Sequence, residues 1–257
     1  MRYLYLLLLG LILVSVQCKN SPDSNSSSKV TFATFNVSME AENYLGRDAK
    51  EASSKVLINQ LADGDSPHIQ NIAKIIQAKR PDVILLNEFD YIENPKKGVE
   101  QFIDAYLKEP QGDFNAIDYP YYYYSTSNTG IETPFDLNGD GKKEGSRNDA
   151  FGYGRYPGHY GMVLLSKFPI DRENIRTFQN FKWKDMPDHL EVLTTNDKPF
   201  YSDKAWQEFR LSSKSHWDVP IQVNNKTIHV LASHPTPPGF DGKEDRNGKR
   251  NHDEIRF

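Results

Sequence analysis

A single cysteine, Cys18, stands in the 257 residues, so no disulfide can form within the chain whatever the redox compartment. No apolar run approaches the roughly 20 residues that a bilayer-crossing helix needs, the longest being Leu4–Val16. A basic excess is also lacking: 31 Lys and Arg face 35 Asp and Glu, for a formal charge of −4. Nonspecific duplex binding draws its affinity from counterion release by a basic stripe, so a tight DNA binder is disfavoured. No internal repeat is visible.

What is present describes a soluble domain. Hydrophobic residues at 37% and charged residues at 26% fit a globular chain with a sizeable core, enough for one large α/β or β-sandwich domain. Met1-Arg2 followed by the Leu4–Val16 run reads as an export signal over residues 1–18. Ser15-Val16-Gln17-Cys18 resembles a bacterial lipobox, with Cys18 as the lipidated residue and the membrane reached through that anchor. Ser15 and Gln17 depart from the usual leucine and small residue, and the alternative is an ordinary signal with an incidental cysteine. Residues 19–29 are Ser/Asn-rich, the composition of a flexible tether, and a domain is expected over 30–257.

Val30–Val37 has the β-branched and aromatic content of a strand. Ser66-Pro67 reads as an N-cap and first-turn proline, and Ile69, Ile72, Ala73 and Ile76 recur at helical spacing up to Lys79. After Pro81 comes Val83-Ile84-Leu85-Leu86, a short strand buried on both faces. Val99–Leu107 predicts a second helix, and Gly161–Ser166 another strand. Val219–Val223 and Thr227–Ser233 predict a hairpin turned by Asn224-Asn225. The class is mixed α/β.

The chemistry sits at strand ends. Asn36, Asn87-Glu88 and Ser233-His234-Pro235 each close an apolar strand, which can bring them to one rim of a sheet. A carboxylate there holds a hard cation, an amide fixes a water or phosphate oxygen, and a histidine stabilises an oxyanion or protonates a leaving group. Taken singly, each is more often a turn former or a first solvated residue; their joint order is the signal.

TFNV ending at Val37, PDVILLNEFD from Pro81, YGMVLLSKFPI from Tyr160 and HVLASHP from His229 resemble successive blocks of the endonuclease/exonuclease/phosphatase superfamily. The resemblance implies a four-layer α/β sandwich, two face-to-face β-sheets flanked by helices, acting as a hydrolase of phosphoester bonds in nucleic acid, phospholipid headgroups or small phosphate esters. It implies a catalytic trio of Asn36, Glu88 and His234, with Glu88 and Asn36 at a Mg2+ or Mn2+ ion. Two later blocks of the superfamily, an Asp-x-Asn pair and a Ser-Asp-His, do not follow His234. The expectation is therefore a sandwich whose C-terminal part is missing, from a fragment, a split frame or a truncated product. No protein partner is implied.

Two further groups are singled out. Asp136, Asn138 and Asp140 alternate ahead of Gly141 like the opening of an EF-hand calcium loop; Arg147 takes the twelfth position, with Glu144 or Asp149 as substitute ligands. A structural Ca2+ is expected there, against a turn that binds nothing. Lys214 and His216, before a strand, suit a substrate phosphate. Arg246, Arg250, Asn251 and His252 are placed in the same cleft. The Tyr121–Tyr124 run could stack on a base or sugar, though strand and core use is commoner. The rival function is a noncatalytic calcium-binding surface lipoprotein.

Overall fold

The computed structural model describes residues 29–257 apart from 48 and 146, so the signal, Cys18 and the tether up to residue 28 lie outside the described residues. Strand β1 (Phe32–Met39) runs parallel to β2 (Val83–Phe89). Between them come α1 (Ala41–Leu45), α2 (Ser54–Ala62) and α3 (Pro67–Lys79). The expected proline-started helix and both-faces-buried strand are there. The cap differs: the Ser66 hydroxyl donates to Gln60 Oε1 (3.0 Å) and makes no cap bond to its own helix. Arg80, at φ 50°, closes the helix by donating its N–H to Ile76 O.

The segment expected as one helix over Val99–Leu107 is α4 (Val99–Phe102) running into a π-helical turn, Ile103–Leu107. The tyrosine run is β3 (Tyr121–Tyr124), antiparallel to β4 (Met162–Ser166), which is antiparallel to β2. The sheet order is β1-β2-β4-β3. The tyrosines serve the sheet and its packing. Tyr122 donates to Glu100, Tyr124 to Glu93 O, and the Tyr123 ring stands edge-on to Trp217 at 4.9 Å.

The second sheet, β5 (Arg176–Thr177), β6 (His216–Val223) and β7 (Lys226–Ser233), is antiparallel in that order. Asn224 (φ 48°) and Asn225 (φ 64°) turn the hairpin, as a tight two-residue turn with both φ positive requires. Alternation along β2 and β4 divides the core. Ile84, Leu86, Val163 and Leu165 pack on α2, α3 and the π-turn. Val83, Leu85, Met162 and Leu164 face Trp217, Val219 and Ile221 of the second sheet. Two sheets therefore meet face to face, with helices flanking them. On the outward side of β7, Leu231 stays 79% exposed.

A third cluster, Leu137, Trp183, Tyr201 and Phe209, gathers the long loops around α5 (Asp203–Glu208). The last element is α6 (Arg246–Arg256).

On the outward face of the second sheet, buried Asp218 accepts from Arg176 and from His229 Nδ1 (2.6 Å). Burial alone would raise its carboxyl; hydrogen bonds from Arg176 and His229 and their charges more than offset this and hold it below the usual carboxylate range. A pKa depressed in the folded state adds stability above the unfolded value and loses it as pH falls through the folded one. Asp218→Asn is expected to cost about 1 kcal/mol at pH 7, since both partners are half-exposed. The gap should narrow below about pH 4. Urea unfolding at pH 7 and pH 3 checks this; a gap that widens on acidification would contradict it.

Candidate active site

β1 and β2 are in register through Asn36 and Asn87, and the register then breaks before Met39 pairs with Phe89. At the break both strands carry a non-glycine residue in the left-handed region, Ser38 at φ 46° and Glu88 at φ 60°. Such backbone costs on the order of 1–3 kcal/mol per residue and persists only where the surroundings impose it. Here it turns Ser38 and Glu88 out of the alternation and into a cavity of about 740 Å³.

Glu88 gathers the residues expected at the site. His234, one residue beyond β7, places Nε2 3.4 Å from Glu88 Oε1, so the two sheets contribute one group each. Asn36 Oδ1 accepts from Ser38 N (3.1 Å) and Ser38 Oγ (3.3 Å). Ser38 Oγ also lies 3.5 Å from Glu88 Oε2. Burial would raise the Glu88 carboxyl, but hydrogen bonds from His234 and Asn36, with the charges of His234 and Lys214, hold it below its ordinary value. Glu88 is thereby kept ionised. Asn36 thus supports Glu88, its own oxygen taken up by Ser38. Asn36 and His234 reach the cavity through Glu88, while Glu88 and Lys214 line it directly.

The other expected site residues divide. Lys214 is 7% exposed, and its ammonium has no hydrogen bond or ion pair among the described residues. Burial pushes it down to about 8, against the opposing pull of Glu254 and Glu88. His216 is not in the cavity wall. Its Nε2 pairs with Glu254 O (2.8 Å) and its ring meets Phe257 edge-on at 5.2 Å, contacts that hold it away from the cavity. Arg246 and Arg250 line the cavity. Asn251 instead donates to Thr236 O, and the His252 side chain, 56% exposed, pairs with Asp253.

At the expected calcium loop, Asp136 accepts from Gly139 N (2.7 Å) and Gly141 N (2.9 Å), and Asp140 from Lys142 N. Glu144 is exposed and offers its backbone N–H, not its carboxylate, to Asp149 Oδ2 (2.8 Å). Asp149, 1% exposed, also accepts from Leu137 N, and so ties the two ends of the loop together. Among the described residues no group of three or more His, Cys, Asp or Glu side chains is arranged to hold a metal.

The opposite wall was not anticipated. Glu40 caps α1 by accepting from Glu42 N (2.6 Å) and pairs with His159 Nε2 (2.8 Å). Arg155 N donates to His159 Nδ1, which makes Nε2 the proton-bearing nitrogen toward Glu40. The imidazole, fully buried, lies between the rings of Tyr156 (4.5 Å) and Tyr160 (3.6 Å). Glu42 pairs with Arg155 (3.0 Å) and Tyr160 OH (2.8 Å). Beneath them Tyr156 OH donates to Asp90, whose carboxyl burial pushes up to about 8. The one sequence signal was the Met39-Glu40-Ala41-Glu42 acidic pair directly after β1. Tyr153, Tyr201, Phe209 and Phe240 complete an aromatic lining.

The sequence profile of the Endonuclease/Exonuclease/phosphatase family matches residues 33–250. No curated protein sequence matches the chain. Among solved structures, it is similar to an endonuclease/exonuclease/phosphatase family protein from Leptotrichia buccalis at 14% identity and TM-score 0.39, over 89% of this chain and 62% of that one. It is similar to a beta toxin from Staphylococcus aureus with bound magnesium ions at 14% identity and TM-score 0.39, over 86% and 55%. Sphingomyelinase C from Streptomyces griseocarneus aligns at 15% identity and TM-score 0.37, over 88% and 56%. The chain thus spans 55–62% of the length of these three structures. By the profile match over most of its length, the chain belongs to the endonuclease/exonuclease/phosphatase family.

Proposed function

We propose that the chain is a divalent-metal-dependent hydrolase of phosphoester bonds, a nuclease, phosphodiesterase or phosphatase of the cell envelope. The observation that supports it most is the contact of Glu88 and His234 across the two sheets, at a cavity that also holds the unpaired Lys214. The donors around Glu88 are one carboxylate, the Asn36 amide and the Ser38 hydroxyl. These are hard oxygens, and one carboxylate suits a Mg2+ that keeps most of its own waters, with Mn2+ as substitute. When bound, such an ion polarises the phosphoryl oxygens and activates water. Glu88 would hold it, Asn36 would fix the Glu88 rotamer through Ser38, and His234 would donate to the developing negative charge. The aromatic-lined cavity, about 740 Å³, favours a compact phosphate ester over a duplex.

The test is hydrolysis of bis(p-nitrophenyl) phosphate and p-nitrophenyl phosphate. Turnover with 5 mM-range Mg2+ is expected, and EDTA should abolish it reversibly. Turnover indifferent to EDTA would overturn the metal reading. We place a structural Ca2+ at Asp136, Asn138 and Asp140 on the strength of their spacing. Calcium in excess over EGTA should raise the melting temperature, with about 2.7 kcal/mol gained at a hundredfold excess over Kd. An unchanged melting curve would remove the ion. Lipidation of Cys18 belongs to the same proposal and would appear as incorporation of labelled palmitate that Cys18→Ser abolishes.

A further inference from the structure

The segment leading into β6 and the loop after β7 are joined by one buried side chain. Glu254, on α6 and 1% exposed, accepts from Ser213 N (3.2 Å) and Ser213 Oγ (3.4 Å) with Oε2. Its Oε1 accepts from Thr236 N (3.0 Å). The carboxylate thereby sets Ser213-Lys214 beside Thr236, and all three residues line the cavity. Two polar groups there are left over. The Lys214 ammonium has no acceptor among the described residues, although the residue is 7% exposed. Thr236, also 7% exposed, has a hydroxyl oxygen that is buried without a partner. Lys214 lines the cavity with no protein acceptor for its ammonium among the described residues, and a buried hydroxyl without a partner carries a desolvation cost that folding does not retain without a return.

Their chemistry names the return. An ammonium and a hydroxyl are both donors, so the missing partner is an acceptor, and an ammonium prefers an anionic one. Of the other cations in the wall, Arg47 is exposed, and the remaining two are engaged. Arg250 serves three backbone carbonyls and Arg246 pairs with Glu244. Lys214 is the buried cation left for a ligand.

We propose that Lys214 Nζ and Thr236 Oγ1 form an oxyanion subsite that holds the phosphoryl group of the substrate without help from a metal, with Glu254 as its positioning residue. This rests on the reading of the cavity as a phosphoester site, and adds that the phosphoryl group is gripped from the second sheet while Glu88 acts from the first. Two non-bridging oxygens are then bound by protein donors.

The test is binding of inorganic phosphate to the whole chain in EDTA, followed by calorimetry and by the phosphorus resonance. Wild type is expected to bind. Lys214→Met and Thr236→Val, both near in volume to the native residues and free of a stranded donor, should fold and each weaken binding at least about tenfold. Glu88→Gln should bind phosphate as well as wild type or better, because a competing negative charge near Lys214 is gone. Phosphate should also raise KM for p-nitrophenyl phosphate in Mg2+ without lowering kcat. Absence of binding in EDTA, or full binding in Lys214→Met, would overturn the subsite while leaving Mg2+-dependent turnover to judge the hydrolase reading by itself. Phosphate binding lost in Glu88→Gln but kept in Lys214→Met would assign the anion to the Glu88 side, and noncompetitive inhibition would place it away from the reacting ester. Either result overturns the proposal.

Discussion

Glu88→Gln is expected to lower Mg2+-dependent kcat/KM by about three orders of magnitude without unfolding the chain. The size follows from what the carboxylate would hold in the proposed site. A hard cation supplies several kcal/mol of charge stabilisation to a phosphoryl transition state, and about 4 kcal/mol corresponds to about three decades. Glutamine has the same shape, with its oxygen for His234 and its amide N–H able to donate to Ser38 Oγ, so the φ 60° turn retains its contacts. What is lost is the charge, which His234, Asn36 and Lys214 together keep on Glu88 in the folded protein. The Mg2+ needed for half-maximal rate should rise with the loss of rate. His234→Ala is expected to cost less, about two decades, and to leave that Mg2+ requirement nearly unchanged, since it removes a donor and not a ligand. Equal losses of metal affinity in both variants would mean that the two residues are one unit. A Glu88→Gln protein within tenfold of wild type would sink the metal assignment.

The elements that could be read ahead of the structure are those whose burial is hydrophobic. β2 and β4 read as unbroken apolar runs because both faces are covered. The Asn224-Asn225 turn was legible because few residues besides glycine take a positive φ in succession. Glu88 and His234 were legible as polar residues closing such strands, and the fold brings them within 3.4 Å. The site's other half was hidden. Glu40, Glu42 and His159 form their wall by hydrogen bonds across 119 positions of sequence, a separation that no local periodicity reports. Thr236 carries no mark in the sequence, since its significance is an unpaired hydroxyl. His216 was misplaced for a related reason: Lys214 and His216 look alike as a basic pair, but Glu254 O captures the histidine behind the wall.

The helix α6 shows the same limit at the scale of an element, and Arg250→Ala measures it. Its sequence, RNGKRNHDEIR, contains one large apolar residue, Ile255, which is 69% exposed. Hydrophobic periodicity therefore sees only a charged stretch. The helix nonetheless buries a face, made of Arg250, Asp253 and Glu254. Arg250 donates through Nε to Leu211 O (2.8 Å) and through one terminal nitrogen to Phe151 O (2.6 Å) and Arg210 O (2.9 Å). The guanidinium lies over the Phe209 ring at 4.5 Å and within 3.7 Å of Glu254. Asp253 accepts from Trp183 Nε1 (2.7 Å) and Leu190 N (2.8 Å), so the same face also pins the third core cluster. Alanine at 250 would strand one buried and two part-buried carbonyls and leave the Glu254 carboxylate without its cation. Each stranded group costs about 1–3 kcal/mol, and breaking a buried ion pair about 3–5, with much overlap between the two. The expected loss is about 4 kcal/mol, or roughly 10 °C in melting temperature for a domain of this size. Arg250→Lys should recover less than half of it, because a single ammonium cannot span carbonyls on two segments in the plane of a guanidinium. If the polar face is one unit, Arg250→Ala and Glu254→Gln will be strongly non-additive, the double variant scarcely worse than Arg250→Ala alone. A loss under about 1 kcal/mol would mean that water replaces the guanidinium and that α6 is held mainly through Asp253.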